Sequence, residues 1–551
     1  MSSSPTVPPR VRVAIAGCAA LLVALALSVA WVGDDAYIAF RYARNLAEGH
    51  GLRFNLTESP PVEGYTQLAW VLIAAAIERV GLPIVWTTHA IELGLGALLV
   101  VLTARAALVG PFASGEDRAR RTAAVVAALV LATSPGLIVW STGGLGTALF
   151  ALVIFAAATR VLAAGRGGSI ALAATLVAAI TLVRFDGPFF VAAIVLAGLL
   201  GGRLTANARL VRASFVSGAV AVLAFAAQTA WRLAYHGDFV PNTARAKGAF
   251  GLRTLERGAD YLVSNWMTVP LLAVGLVLVA VLAWRDRRVC PAPLMALAVV
   301  SAASLYGVLV GGDFMPMGRF FVPALPFVAW AVGRAVAAIA ERARGPLAPA
   351  LATAGALALS FPAFVDLSLF PRDWRASATF RWGWEYESER SFLAGVDARA
   401  QEWSRLGRAL RASVEPTDSL VRGPIGAVGY HSRMVLFDRF GLTDREVTST
   451  VEPDPERMTL PGHDCKAPHG FFDAREPTWL EVELLEGDEL TPEREEGARF
   501  AAEFGVIDLF ELGPKDGFDE RALLVLQRFR PRPGSQADLA TDATDADDDA
   551  K

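Results

Sequence analysis

Residues 11–51 read VRVAIAGCAALLVALALSVAWVGDDAYIAFRYARNLAEGHG, a long apolar run followed by two aspartates and a stretch of mixed polarity. The apolar part, from Val11 to Val32, is long enough to cross the hydrocarbon layer of a membrane, which takes about 17–25 such residues. After Asp34 and Asp35, apolar and polar residues recur on opposite sides of a helix with a period of 3.6 residues. The stretch therefore predicts a membrane span that leads into a helix lying at the membrane interface.

Similar apolar runs recur as far as residue 366, and the chain then becomes polar. We identify about eleven spans, at 11–32, 84–109, 122–140, 148–164, 169–184, 187–202, 213–232, 266–283, 293–311, 319–340 and 346–366. The 551 residues are 54% hydrophobic and 19% charged, whereas soluble proteins are about a quarter charged. This composition excludes a soluble enzyme, a fibrous protein and a disordered protein. The predicted fold class is a polytopic α-helical membrane protein with one soluble domain.

Net charge and cysteine content exclude two further classes. The formal net charge is -3, so the chain lacks the basic signature of a nucleic-acid-binding protein. Cys18, Cys290 and Cys465 lie far apart in the sequence and form no disulfide framework. The sequence therefore predicts no nucleic-acid partner, and the cellular compartment has to be inferred from membrane topology.

The arginines predict the topology, because positively charged loops stay on the cytoplasmic side. Arginines precede the first span and recur in alternate loops, at 118–121, 166, 203–212, 285–288 and 342–344. The short apolar stretch 67–80 fits this pattern only if it does not cross, so we predict an interfacial or re-entrant segment. Ser28-Val29-Ala30 also suits signal-peptide cleavage, which would leave the remaining topology unchanged. An odd number of spans places the C-terminal part outside the cytoplasm.

The domain organisation follows from these patterns. Residues 1–366 form the membrane module, in which 33–66 is the first outer loop. Residues 367–530 form a small α/β or α+β extracytoplasmic domain, with strand patterns at 419–421, 434–438, 506–512 and 523–529 and a helical pattern at 399–414. Residues 531–551 form an acidic tail whose composition is typical of disorder. We place the protein in a bacterial plasma membrane, with its active site on the outer face.

Asp34 and Asp35 are the strongest candidates for catalysis on that face. A carboxylate at the edge of the hydrocarbon layer persists mainly where it is paired or functional, although an aspartate pair can also simply cap a helix. His89 and Glu92, one turn apart in the second span, form either a satisfied pair or a wall of the site. Lys247 and Arg319 suit phosphate binding, or lie on a solvated face.

Two weaker motifs lead to no site. Residues 423–429 have glycines spaced like a nucleotide-binding loop but lack its Lys-Ser/Thr pair, so we expect a turn between a strand and a helix. His463, Asp464, Cys465 and His469 have no second cluster to complete a zinc site. No metal ligands are predicted.

Several blocks along the chain carry a family resemblance. They are DDAYI (34–38), RYARNLAEGHG (41–51), VEGYT (62–66), PNT (241–243) with Lys247, GGD (311–313) with Arg319, GLTD (441–444), and Gly462-His463 with Lys466. Together they resemble the GT-C superfamily of membrane glycosyltransferases, and in particular the mycobacterial terminal arabinofuranosyltransferase family. The resemblance runs from about residue 30 to residue 530, and its first block is the most specific.

The resemblance implies a GT-C fold and transfer of a sugar from a polyprenyl-phosphate donor. The sugar would be arabinofuranose or another pentose or hexose, and the acceptor a cell-envelope glycan outside the membrane. Asp34 or Asp35 would take the acceptor proton, while Lys247, Arg319 and Arg44 would hold the departing phosphate. If the anomeric configuration is retained, a single base does not complete the mechanism. Substrate binding would fall to Arg41, Glu63, Tyr65, His89, Glu92, Asp186, Asn242 and Asp313.

The sequence departs from the family pattern at residue 146, where glycine stands in place of glutamate. This removes a carboxylate that could contact sugar or metal, so the sugar identity and the use of a divalent cation stay open, and no cofactor is assigned. Three alternatives also stay open. They are transfer of mannose or an aminosugar to protein or lipid, a lipid-linked sugar transporter or flippase, and a structural subunit that has lost its site.

Overall fold

The computed structural model describes residues 7–246, 251–343, 345–378, 380–381, 388–452, 460–533, 535 and 537. The described part of the predicted membrane module is almost entirely helical. Its α-helices are α1 (Pro9–Leu27), α2 (Asp34–Ala47), α3 (Leu68–Arg79), α4 (Ile84–Leu108), α5 (Asp117–Ala132), α6 (Pro135–Trp140), α7 (Thr147–Gly165), α8 (Ile170–Val183), α9 (Gly187–Leu204), α10 (Ala208–His236), α11 (Asn242–Ala246), α12 (Leu252–Thr268), α13 (Leu271–Asp286), α14 (Ala292–Leu309), α15 (Leu325–Arg342) and α16 (Leu347–Ala358). Two 3₁₀ helices, Pro316–Ala324 and Phe361–Val365, precede α15 and follow α16.

Seven segments within the described residues are long and apolar enough to cross a membrane. They are α1, α4, α7, α9, α10, α14, and α15 joined to the 3₁₀ helix before it. The pair α12 and α13 would make an eighth, although its two helices meet at 98°. Helices α8 and α16 are shorter apolar segments. Each of the eleven predicted spans overlaps a helix or a helix pair, so the chain is a multi-pass membrane protein, while the count of eleven stays a prediction.

Small side chains let the membrane helices approach one another closely. Helix α5 packs against α4 and α15, and the side chains that it buries are mostly alanines. Helix α10 packs in the same way against α8 and α9. Close packing of small residues is how helices associate in lipid, where burial of apolar surface gives no net gain.

Helix α2 begins at Asp34, where the sequence predicts its start, and it lies between the membrane helices and the soluble domain. It packs against α3 on one side and against a helix of the soluble domain on the other. Helix α3 accounts for the stretch 67–80 and also contacts α4 and α8. That this stretch does not cross the membrane stays a prediction.

The soluble part contains helices and one five-stranded sheet. The helices are α17 (Arg372–Ala376), α18 (Glu389–Ser413), α19 (Gly426–Ser432), α20 (Arg445–Thr450) and α21 (Pro492–Phe504). The strands are β1 (Ser419–Arg422), β2 (Val435–Asp438), β3 (Trp479–Glu486), β4 (Ile507–Leu512) and β5 (Ala522–Arg528). The strand order is β2-β1-β3-β5-β4. Strand β1 runs parallel to β2 and β3, and β5 runs antiparallel to β3 and β4.

Four of these strands and α18 coincide with the sequence patterns, but the central strand β3 was not predicted. It reads WLEVELLE, with Glu481 and Glu483 exposed between half-buried Val482 and Leu484. This alternation is typical of a strand with one solvated face. Residues 423–425 connect β1 to α19, which begins at Gly426, so the expected turn between a strand and a helix is confirmed. Most of the predicted acidic tail lies outside the described residues, and the proposed domain limits stay predictions.

Candidate functional site

Asp34 joins α2 to the soluble domain. Its two carboxylate oxygens accept hydrogen bonds from the backbone N–H groups of Gly426 (3.0 Å) and Ala427 (2.7 Å), at the start of α19. A Cβ atom on Gly426 would lie 1.9 Å from the carbonyl oxygen of Asp34, so the close approach requires glycine there. Asp35, the second predicted catalytic residue, is half-buried beside it. The aspartate pair therefore lies where the membrane module meets the soluble domain.

Burial opposes the charge on Asp34. Desolvation raises the pKa of this carboxyl from its ordinary 3.8 to about 6, while the two N–H groups act in the opposite direction. A carboxyl group with a pKa close to neutrality can exchange a proton near physiological pH, which is a property of catalytic acids and bases.

Arg41 and Arg44, one turn apart on α2, also reach the soluble domain. Arg41 is buried and donates to the carbonyl oxygens of Phe54 (2.8 Å) and Met434 (2.7 Å). Arg44 donates to the carbonyl oxygen of Tyr430 (2.6 Å), and its guanidinium carbon lies 3.4 Å from the centre of the Tyr430 ring. Both arginines therefore tie α2 to the soluble domain in this structure, and their predicted contacts with substrate and phosphate stay predictions.

Glu78 completes the environment of Arg44. Its carboxylate lies 3.6 Å from the Arg44 guanidinium and accepts a hydrogen bond of 2.5 Å from the Tyr430 hydroxyl. Glu78 and Tyr430 were not among the predicted site residues. The sequence offered a reason to consider Glu78, because it is an acidic residue near the end of an otherwise apolar stretch.

Glu63 joins the first outer loop to α10, and Asn242, just after α10, joins the membrane module to the soluble domain. Glu63 accepts a hydrogen bond of 2.5 Å from Arg232 of α10, and both side chains are buried. The amide of Asn242 donates to the carbonyl oxygen of Gly441 (2.5 Å) and accepts from the Thr448 hydroxyl (2.7 Å). The neighbouring Tyr65 hydroxyl lies 3.4 Å from Nε2 of His236. Arg232 was missed, although a charge within an apolar span is itself a signal.

Glu92 binds the turn between α6 and α7. Its carboxylate accepts hydrogen bonds from the N–H groups of Gly144 (2.9 Å) and Gly146 (2.8 Å). Gly146 has φ +67°, and a Cβ atom there would lie 2.9 Å from the Trp70 ring. A side chain at position 146 would meet both obstacles in this conformation. His89, one turn earlier, places Nε2 at 3.1 Å from the carbonyl oxygen of Trp31.

Asp186 and Asp313 each pair with an arginine in a two-pronged arrangement. Asp186 accepts hydrogen bonds of 2.8 and 2.9 Å from Arg184, and Asp313 accepts bonds of 2.7 and 3.0 Å from Arg319. The Phe320 ring lies 5.8 Å from the Arg184 guanidinium and 5.5 Å from that of Arg319, so it links the two pairs. Arg319, predicted to bind phosphate, is thus already neutralised by Asp313.

The structure brings six of the predicted residues together along one contact. Asp34, Asp35, Arg41, Arg44, Glu63 and Asn242 lie along the contact between α2, its following loop and the soluble domain. Glu92 binds the turn at 144–146, which touches α2 because a Cβ atom on Gly144 would lie 2.8 Å from that of Ala36. Lys247 lies outside the described residues. No three His, Cys, Asp or Glu side chains in the described part of the chain could together hold a metal ion.

An ion pair and a second buried arginine, neither revealed by the sequence, hold the soluble domain on the membrane module. Arg257 of α12 donates to both oxygens of Asp464 (2.7 and 3.0 Å) and to the carbonyl oxygen of Gly311 (3.0 Å). Arg381 pairs with Glu389 at 2.6 Å and donates to the carbonyl oxygen of Phe314. Asp464 thus takes part in an ion pair rather than a zinc site. Partners 207 residues apart share no local pattern that a single sequence could show.

The architecture is similar to that of solved membrane transferases. The archaeal oligosaccharyltransferase AglB from Archaeoglobus fulgidus, solved with an inhibitory peptide and a dolichol-phosphate, matches with a TM-score of 0.54 and 10% identity over 96% of this chain and 77% of that one. ArnT from Cupriavidus metallidurans, solved with undecaprenyl phosphate, matches with a TM-score of 0.52 and 14% identity over 94% and 97%. The arabinosyltransferase EmbB from Mycobacterium smegmatis is more distant, with a TM-score of 0.36 and 14% identity over 72% and 41%.

These likenesses establish the fold. The chain shares its fold with AglB and ArnT, so the GT-C fold class predicted from the sequence is confirmed. A family model described as a domain of unknown function (DUF8728) matches residues 391–521, which include α19 and most of the sheet. No curated protein sequence matches the chain.

Proposed function

We propose that this protein is a glycosyltransferase that moves a sugar from a polyprenyl-phosphate donor to a cell-envelope glycan on the outer face of a bacterial plasma membrane. The observation that carries the proposal is the aspartate pair at the start of α2, held against α19 where the membrane helices meet the soluble domain. A donor with a lipid tail and an acceptor in water can meet only at such a boundary. The solved structures of AglB and ArnT contain dolichol-phosphate and undecaprenyl phosphate, which supports a lipid-linked donor.

We propose different roles for the two aspartates. Both carboxylate oxygens of Asp34 accept hydrogen bonds from backbone N–H groups, which fix this side chain against α19. We therefore assign proton removal from the acceptor hydroxyl to Asp35 and the positioning of α19 to Asp34. Arg44, Arg319 and Lys247 remain the candidates for binding the departing phosphate, because guanidinium and ammonium groups neutralise developing phosphate charge.

Arabinofuranose is the proposed sugar only through the family resemblance, and another pentose or hexose would suit the same site. Transfer of mannose or an aminosugar to protein or lipid is the alternative closest in chemistry, because it would use the same donor phosphate and the same boundary. A flippase differs in kind, because it would move the lipid-linked sugar without breaking its glycosidic bond.

Purified protein incubated with labelled polyprenyl-phosphate pentoses and hexoses and an envelope glycan tests this proposal. The readout is release of free polyprenyl phosphate together with label in the glycan. We expect Asp35→Asn to lower turnover by about 10²-fold or more, which is the usual contribution of a positioned acid or base. Asp366→Asn is the matched control, since Asp366 is exposed and has φ +66°, a conformation that asparagine tolerates.

Three outcomes would contradict the proposal in distinct ways. If the donor stays intact with every acceptor, the protein is not a transferase for these substrates. Full turnover by Asp35→Asn would show that Asp35 is not the base, while the transferase assignment would stand. A tag placed after residue 530 that only cytoplasmic reagents reach would reverse the proposed orientation.

A further inference from the structure

A cavity of about 570 Å³ lies at the ends of α4 and α7 that point away from the aspartate pair. Arg105 of α4 lines it, thirteen positions along the helix from Glu92, and this distance corresponds to about 20 Å at 1.5 Å per residue. Arg160 of α7 lines it at a similar distance from Gly146. The cavity is therefore separate from the candidate site, at the face that the arginine pattern places toward the cytoplasm.

The lining of the cavity combines arginines with apolar residues. Arg105, Arg160 and Arg166 supply the charge, and no acidic residue lines the cavity. Leu102 and Val109 contribute to its apolar wall. A ligand that matches both parts carries a negative headgroup and a hydrocarbon chain.

The arginines are available to such a ligand. The side chains of Arg105 and Arg160 are exposed, and neither takes part in an ion pair within the described residues. Arg166 donates to the carbonyl oxygens of Gly110 (3.4 Å) and Pro111 (3.2 Å), so it is held at the rim by the loop after α4. Three guanidinium groups without a neighbouring carboxylate favour a bound phosphate, which arginine binds with a planar pair of N–H groups.

We propose that this cavity binds an anionic phospholipid of the inner leaflet. Its phosphate lies between Arg105 and Arg160, and an acyl chain runs against Leu102 and Val109. Basic pockets between transmembrane helices on the cytoplasmic side recognise anionic headgroups by this combination of charge and apolar surface. The proposal does not depend on the proposed reaction, because the cavity lies at the opposite ends of α4 and α7, while its place in the inner leaflet rests on the predicted topology.

Lipid titration of the purified full-length protein, followed by native mass spectrometry, tests the proposal. The probes are phosphatidylglycerol, phosphatidylcholine, glycerol phosphate and undecaprenyl phosphate. We expect phosphatidylglycerol to bind the native protein more tightly than phosphatidylcholine, and glycerol phosphate not to bind measurably. The variant Arg105→Gln/Arg160→Gln should lose about 25-fold in affinity for phosphatidylglycerol, at about fivefold for each arginine near a charged headgroup.

The matched control is Arg118→Gln/Arg203→Gln, which removes two exposed arginines from the same face outside the cavity. The control should retain native affinity, and equal losses in the two variants would overturn the proposal by indicating diffuse attraction. Binding of glycerol phosphate as tight as that of the lipid, or binding of undecaprenyl phosphate alone, would also overturn it. If the double variant fails to fold, Arg160→Gln alone decides the question, since an unchanged affinity contradicts the assignment and a loss of about fivefold supports it.

Discussion

The carboxylate of Asp34 is subject to two opposing influences. The N–H groups of Gly426 and Ala427 stabilise its ionised form, whereas its surroundings penalise any charge. Burial has the larger effect, and the pKa of the folded protein lies at about 6 instead of the ordinary 3.8. Protonation of this one group therefore affects the contact between α2 and α19 at mildly acidic pH.

We expect the native protein to lose stability relative to Asp34→Asn as the pH rises from about 4 to about 6. Because the pKa of the folded state is above that of the unfolded state, the folded chain binds the proton more tightly, and this contribution disappears as the pH passes through the folded pKa. The difference should be on the order of 1–3 kcal/mol and should stay constant above that range. Thermal midpoints of both proteins in detergent across this pH range measure it, and parallel curves would contradict the assignment.

At the scale of elements, the turn between α6 and α7 depends on a residue without a side chain. Gly146 combines φ +67° with a position 2.9 Å from the Trp70 ring for any added Cβ atom. Its N–H group and that of Gly144 are bound by Glu92, so the turn, α3 and α4 hold one another. The effect of the backbone conformation can be separated from that of the Trp70 contact by experiment. Gly81 has a similar positive φ but no neighbour at the position of an added Cβ atom.

Gly146→Ala should lower stability by about 2 kcal/mol or more, since it adds a clash to the cost of a left-handed conformation, which is about 1–2 kcal/mol by itself. Gly81→Ala is the matched variant, because Gly81 has φ +72° and nothing within 4 Å of an added Cβ atom. Gly81→Ala should therefore show only the conformational cost. The thermal midpoints of the two variants measure the difference, and equal losses would mean that the Trp70 contact contributes nothing.

Elements with a strong local pattern were predictable from the sequence. The apolar spans, the start of α2 and four strands follow from the periodicity of their own residues, as does α18. Strand β3 was missed because its glutamates make it resemble a solvated segment. The partners of Asp34 and Arg41 could not be predicted because they are backbone groups, and the partner of Glu63 is a charge 169 residues away. The sequence thus indicated which side chains are unusual but not what they contact.

At the scale of the whole molecule, buried contacts join the soluble domain to the membrane module. The Arg257–Asp464 pair is the most completely buried, with side chains 0% and 1% exposed. The attraction in such a pair is offset by the loss of hydration, so its net effect is small while both partners are present. Removing one partner leaves the other charge buried, unpaired and without hydration.

We expect Asp464→Asn to destabilise the protein by about 3–5 kcal/mol, because Arg257 is left buried and unpaired. The double variant Arg257→Met/Asp464→Leu should regain most of this loss, since it buries no charge. Glu476→Gln is the control, because the Glu476–Arg530 pair is exposed and should contribute less than about 1 kcal/mol. Thermal midpoints of the four proteins measure these effects. If the double variant is as unstable as Asp464→Asn, the loss of stability does not come from an unpaired charge on Arg257.

The attachment of Asp34 to the N–H groups of Gly426 and Ala427 has a consequence for biosynthesis. The aspartate pair is made early and the groups that hold Asp34 are 392 and 393 residues further along the chain. Every membrane helix is therefore synthesised and inserted before these partners emerge from the ribosome. A nascent chain therefore lacks this contact for most of its synthesis, and it forms only when the soluble domain folds onto α2.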